Sequence, residues 1–224
     1  MRYKKYLLGS LFASLTFTPL VQADSTLVYE LNSKDGARIQ HTIAISGRWL
    51  RLDTDPARQA RYTVMDMGRM LMFEIDDQAK NFQITRMGRL YWPSNALTAP
   101  VFKPLAKKEA VSGIRCQPVQ EMTSATESIA NHCMTAGAML GLNAREMITL
   151  SRLFMSARRL GLSWPGVATA DERQVSINSQ HVSGTTQQFK SVTHQRIDNT
   201  RFKVPAGYQR ILPDLPVAAA EINK

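Results

Sequence analysis

From Thr26 to Thr85 the chain alternates apolar and polar residues with a period of two. Turn residues interrupt the pattern about every ten positions, the signature of short half-buried strands joined by tight turns. Leu27, Tyr29 and Leu31 share one face of the first segment. Ile39, Ile43 and Ile45 share a face of the second, with His41 in the same row and Gly36 marking the turn between the two. Arg48 to Asp53 is a third strand, with Leu50 and Leu52 on its apolar side. The charged, proline-containing stretch from Asp55 to Ala60 is an exposed loop. Tyr62 to Met65, Met70 to Ile75 and Asn81 to Thr85 follow, with turns at Gly68 and Asp76-Asp77. The order predicts an antiparallel meander. Several strands are apolar on both sides: Met70 and Met72 alternate with Leu71, Phe73 and Ile75. A sheet with one wet face has no use for that. Either the sheet curls around an interior, or helices and loops cover its second side.

Further along, Pro93 to Gly113 holds three prolines and three lysines and reads as a long irregular connection. Ile114 to Thr123 and Ser128 to Met134 suit two strands turning near Ser124-Ala125, which sets Cys116 directly opposite Cys133. Directly opposed antiparallel residues approach to about 4.5 Å between Cα atoms, within disulfide reach. Pro118 marks its strand as an edge or a bulge, and a helix across 126–140 is the alternative. Asn143-Ala144-Arg145-Glu146 has the form of a capping box. It opens an amphipathic helix with Met147, Leu150, Phe154 and Ala157 on one face, Arg158 and Arg159 in its last turn and Gly161 as its C-cap. Beyond Pro165-Gly166, Arg173 to Val182 and Thr185 to Ile197 form a hairpin about Ser183-Gly184, and a short closing segment ends near Tyr208.

The N-terminus combines a basic start (Arg2, Lys4, Lys5), an apolar run from Leu7 to Phe17 and a small-residue ending at Ala23. That is the order of a secretory signal cleaved after Ala23, and the run is shorter than the roughly 20 residues a membrane span needs. Residues 1–23 are accordingly read as a signal peptide, 24–212 as one domain and 213–224 as a C-terminal tail. Export places the domain in the periplasm, where a lone cysteine pair forms a disulfide. Removing the signal takes three basic and no acidic residues, lowering the net charge from +10 to +7. The excess is scattered, apart from Lys103, Lys107 and Lys108 and the pair Arg158-Arg159. Nucleic acid is excluded as a partner by the address. A transient contact with a membrane surface or an envelope protein is compatible with it.

The sequence holds no nucleophile elbow, zinc-protease helix, phosphate loop or dinucleotide fingerprint. Its four histidines (His41, His132, His181, His194) are dispersed. An enzyme would require His41 or His194, both in strands, to meet a carboxylate in a pocket. Asp76 and Asp77 adjoin in a turn, where neighbouring side chains point apart. His132 beside Cys133 lacks a second ligand at metal spacing. Met65, Met67, Met70, Met72 and Met87 could bind copper(I) through soft thioethers, or fill irregular apolar space. No catalytic residue, resident cofactor or metal is assigned.

Four segments carry a resemblance. They are Leu27 to Leu31, Gly47 to Asp53 with its arginine-x-aspartate, Tyr62 to Phe73 with Asp66 displayed before Gly68-Arg69, and Asp198 to Tyr208 in the form D-x-x-x-F-x-x-P-x-G-Y. Gly113 to Cys116 and His132-Cys133 add a cysteine hairpin. Together they resemble a family of exported bacterial domains related in fold to the LolA and LolB lipoprotein carriers. The resemblance implies an α+β fold: a strongly curved antiparallel sheet, an incomplete barrel, with one main helix and a concave side closed by helices and loops. In the carriers that hollow takes acyl chains. The carriers open with a helix where this chain has a strand, and their lid arginine has only a loose counterpart in Arg48. Lipoprotein transport is therefore not carried over.

The expectation is a periplasmic binding or carrier-type protein holding an apolar or lipid-like ligand in the concave side, with Leu50, Leu52, Met70, Met72 and Phe82 lining it. The alternatives are a non-catalytic interaction module in envelope sensing or assembly, and a copper-binding protein.

Overall fold

A computed structural model describes residues 23–54, 60–87, 101–106, 109–122, 127–159 and 173–212. The segment expected to be a signal (to residue 22), the expected loop at 55–59, Lys107 and Lys108, the expected turn at Ser124-Ala125, Gly161, Pro165-Gly166 and residues from 213 lie outside these residues, as do the side chains of 154–159.

The meander forms as the alternation requires. Its strands are β1 (Ser25–Asn32), β2 (Arg38–Ser46), β3 (Trp49–Thr54), β4 (Arg61–Asp66), β5 (Leu71–Asp76) and β6 (Asn81–Arg86). All pair antiparallel in sequence order, with Ile43 opposite Leu52, Leu50 opposite Met65 and Met65 opposite Met72. The stretch expected to be irregular contains two short strands, β7 (Val101–Pro104) and β8 (Glu109–Val111). Both pair with β9 (Ile114–Met122). Prolines bounded that segment in the sequence, but an edge strand can hold one without losing an inner ladder bond. β10 (Ser128–Ala136) returns antiparallel to β9, so the helix alternative for 126–140 survives only as a 3-10 turn at Gly137–Leu140. Next come α1 (Ala144–Arg159), β11 (Gln174–His181) and β12 (Thr186–His194). A two-residue β13 (Gln209–Arg210) lies parallel to β6.

The strands make one 13-stranded sheet in the order β13-β6-β5-β4-β3-β2-β1-β12-β11-β10-β9-β7, with β8 also on β9. The ends of this order do not pair, so the sheet is open and not a barrel. It is curved nonetheless. One apolar cluster unites Leu50, Met65 and Met72 from β3 to β5 with Cys116, Cys133, Val175 and Ile177 from β9 to β11, around Met147, Leu150 and Leu153 of α1. Strands so far apart in the order share a core only when the sheet bends around the helix. The molecule is mostly β with one α-helix among the described residues, as an α+β fold with an open, curved sheet requires.

The helix starts as its sequence dictates. The Asn143 side chain accepts from the Glu146 amide at 3.0 Å, and the Glu146 carboxylate accepts from the Asn143 amide at 2.9 Å, a reciprocal capping box. Thr149 donates to the Gly47 carbonyl at 2.8 Å and Arg152 to that of Met67 at 3.4 Å. The helix therefore lies over the sheet end that carries the β2–β3 and β4–β5 turns. Gly137 has no side chain because one would collide with Met147.

The cysteines are bonded, with Cα atoms 5.3 Å apart, but not in the expected register. Ser128 pairs with Met122, one residue off the expected register, and a bulge between Ser128 and Ala130 adds a second, so Cys133 stands opposite Pro118 and the bridge runs diagonally to Cys116. Pro118 sits where the outer partner of β9 changes from β7 to β8.

The second face of the meander is covered by the C-terminal segment. Ala44, Tyr62, Val64 and Ile75 bury against Ile197 and Phe202, with Trp49, Phe73, Phe82, Val204 and Tyr208 around them.

Candidate functional site

Along the helix-bearing face, β3 to β6 change from apolar to polar residues partway along their length, β3 one row later than β4 and β5. On β3, Leu50 and Leu52 give way to Thr54; on β4, Met65 gives way to Thr63 and Arg61. On β5, Met72 gives way to Glu74 and Asp76, and on β6 the same face carries Gln83 and Asn81. Register aligns these changes: Leu52, Thr63, Glu74 and Gln83 form one cross-strand row, and Arg61, Asp76 and Asn81 the next. The apolar half is packed by α1. The polar half bounds an open cleft of about 1230 Å³, whose lining also includes Ile39 and Ile211.

The cleft offers hydrogen-bonding groups of several kinds. Thr54, Thr63, Asn81 and Gln83 are neutral donors and acceptors, and Glu74 is an exposed carboxylate. Arg61 donates to Asp76 at 2.9 Å. The Ala79 amide and then Arg61 hold the Asp76 carboxyl below its ordinary range, so it is ionised at neutral pH.

The five residues expected to line a hollow do not do so together. Leu50 (0% exposed), Leu52 (7%) and Met72 (5%) are core, packed with the helix. Met70 is a turn residue at φ 53° leaning on that core. Phe82 points to the opposite face, among the residues under the C-terminal segment. The concavity expected to receive acyl chains is filled at this level by the protein's own side chains. The reason is the helix: its apolar stripe needs a partner surface, and those leucines and methionines supply it. Met65, Met67, Met72 and Met87 serve the same packing.

His41 and His194 do not meet. His41 pairs across to Tyr29, whereas His194 stands beside Ser25, four residues away along β1, or about 13 Å. His194 bonds Ser25 and the Leu140 carbonyl, each at 2.9 Å. Asp77 is engaged by the Tyr208 hydroxyl, away from the Asp76–Arg61 pair. Arg48 pairs with the buried Asp66 at 3.2 Å, and Asp66 also accepts the Gly68 and Arg69 amides, so the displayed aspartate builds the β4–β5 turn.

The histidines that do meet were not paired in the sequence. His132 on β10 bonds Glu121 of β9 at 2.9 Å through Nε2, and its Nδ1 is 3.3 Å from the Ser176 hydroxyl of β11. The His181 ring stands edge-on 6.1 Å away. The order Ser-His-Glu looks like a hydrolase relay, but the Ser176 hydroxyl donates to the Asn178 carbonyl at 2.9 Å and is fully buried. A nucleophile needs its proton directed to the base and its oxygen in reach of substrate. The polar cleft was not anticipated either; the signal that could have found it is the switch from Met65 to Thr63 on β4 and from Met72 to Glu74 on β5, at one level of the meander.

The geometry defines a class: an open, curved antiparallel sheet, helix-filled at one end of its concave face and polar at the other. No family model and no curated protein matches the chain in sequence. Among solved structures, an uncharacterized conserved protein from Thermus thermophilus is similar over 86% of this chain and 92% of its own, at 6% identity and a TM-score of 0.50. That likeness concerns the fold alone. Weaker likenesses, which carry no argument, are to PNGF-II (10% identity, 86% of this chain and 31% of that one, TM-score 0.46) and to the LolA superfamily protein NE2245 from Nitrosomonas europaea (6%, 83% and 91%, TM-score 0.33).

Proposed function

We propose that this chain is an exported, non-catalytic binding protein that takes a hydroxyl- or amide-bearing ligand in the polar end of its concave face. The observation that carries the reading is the in-register row Thr63, Glu74 and Gln83 flanked by Asn81, opening on a cleft of about 1230 Å³. Ligand sites combine concavity with a few convergent polar groups. An acyl chain would strand those groups without partners, at a cost of roughly 1–3 kcal/mol for each one buried. The carrier reading is thus kept in its general form and changed in its ligand.

The test is a ¹⁵N NMR titration of the chain from Asp24 with neutral oligosaccharides, short peptides and a fatty-acid probe. A saccharide or peptide is expected to shift the amides of Thr63, Glu74, Asn81 and Gln83. The double variant Glu74→Ala/Gln83→Ala should remove those shifts and leave the melting temperature within about 2 °C, as for exposed polar positions. The reading fails if only the fatty-acid probe binds, or if shifts cluster on α1. A second reading, an interaction module of the cell envelope, draws on Ile211 and Leu212, which are exposed beside the cleft. In-cell crosslinking from position 212 separates it by yielding a stable protein adduct.

A further inference from the structure

The buried polar cluster lies away from the cleft, in register terms at the other side of the sheet. Four strands contribute to it. Glu121 comes from β9 and His132 from β10; Ser176 and His181 come from β11. From β7, Phe102 seats its ring edge-on against His132 at 5.9 Å and packs on Val119 and Met134. β7 is the outermost strand at this end of the order and only four residues long. Val101, Lys103 and Pro104 are exposed, so Phe102 is the one side chain of the strand that is partly buried. Apart from its ladder with β9 and the bonds of Leu105 to Pro118 and Gln117 just beyond it, β7 is fixed by its one phenyl ring, which rests on His132, Val119 and Met134.

We propose that the Glu121–His132–His181 cluster is an acid-sensitive latch holding β7 on the sheet. Among the described residues, the titratable groups facing the His132 ring are Glu121 from β9 and His181 from β11. β10 supplies His132 itself, and β7 presents only Phe102, its Lys103 being exposed. With His181 neutral, the two rings and the phenyl pack edge-on, and one carboxylate serves one imidazole. A proton added to His181 places a cation in a partly buried site beside a second imidazole whose carboxylate is already engaged. Burial, and then the neighbouring His132, lower the His181 pKa below its ordinary value, against a smaller opposing pull from Glu121. The sign follows from linkage. A histidine that binds its proton less readily when folded leaves stability complete above about pH 6.5 and reduces it as pH falls through 6.5 toward the lowered folded value. Of the strands that border the cluster, the one that yields is the short edge strand β7, with a single partly buried side chain, and its departure uncovers the outer edge of β9 from Val119 to Met122.

The test is amide hydrogen exchange on the chain from Asp24 at pH 7.5 and 5.0, corrected for intrinsic rates. Protection across 101–104 and 119–122 is expected to fall about threefold or more at pH 5.0, with none lost in β1 and β2. His181→Gln should hold protection at pH 5.0 within about twofold of its pH 7.5 value. Phe102→Ala should lose protection at both. The proposal is overturned by protection that does not change with pH, by a His181→Gln variant that keeps the full dependence, or by equal losses in β1 and β2, which would mean global unfolding.

Discussion

Substituting Leu50 by alanine separates a core from a cavity. Leu50 has no solvent exposure, stands in register between Ile45 and Met65, and shares a cluster with Met147, Leu150 and Leu153 of α1. The change deletes three carbons. At about 0.8 kcal/mol each, the lost transfer energy is about 2.4 kcal/mol. A residual cavity between sheet and helix, both rigidly tied by the Thr149–Gly47 and Arg152–Met67 bonds, raises the total to about 3–4 kcal/mol. For a domain of this size that is a fall in melting temperature of roughly 10 °C. Urea denaturation followed by circular dichroism should show a lower midpoint at unchanged slope, which identifies a stability effect. Had Leu50 lined a ligand hollow, the truncation would cost less than about 1 kcal/mol and would alter binding of a fatty-acid probe. That result would refute the assignment of Leu50 to the core, and would count against the polar ligand proposed above.

Other expectations follow from single contacts. Asn143→Ala removes the cap that receives the Glu146 amide and should cost about 1 kcal/mol by urea denaturation. Cys116→Ser/Cys133→Ser opens a bridge of sequence separation 17 and should cost about 3 kcal/mol, visible as a lower calorimetric melting temperature. Arg51 stacks 3.7 Å over Tyr62 while pairing with Asp53; Arg51→Lys keeps the charge, loses the planar fork, and should cost about 1 kcal/mol in the same assay. Burial raises the Tyr29 phenol well above its ordinary value. The unfolded chain therefore ionises first, and stability that is complete below about pH 10 declines above it. An ultraviolet titration of the folded protein should leave this tyrosine un-ionised until the fold is lost.

The meander, the late hairpin and the helix cap were legible because each rests on local rules: alternation, turn residues and a four-residue capping pattern. β7 and β8 were not, because three- and four-residue edge strands carry too few alternations to register against flanking prolines. The diagonal cysteine bridge was missed for a different reason. The register was counted by assuming Cys116 opposite Cys133; the strands start one residue off that count at Ser128–Met122, and a bulge, which leaves no mark in composition, adds the second. The meeting of His132 with His181 depends on β10 and β11 being neighbours in space. No sequence period reports that adjacency.

Facing was the harder question, and its resolution explains the closing motif. Strands apolar on both sides left two options, an enclosed hollow or a second cover, and the structure uses a cover on each side. The helix takes one. The segment D-x-x-x-F-x-x-P-x-G-Y takes the other, residue by residue. Asp198 accepts the Thr200 amide at 2.9 Å and starts a 3-10 turn; Phe202 is buried beside Tyr62 and Ile75. Gly207, at φ 83°, turns the chain in a conformation that side chains disfavour. Tyr208 then reaches Asp77 and accepts from Lys80 at 3.0 Å, which sets Gln209 alongside Asn81. A motif that looks like a signature of function is thus a clasp. With α1 packed on one apolar face and the closing segment on the other, the polar rows beyond α1 bound the open cleft, which is why the proposed ligand is a polar one.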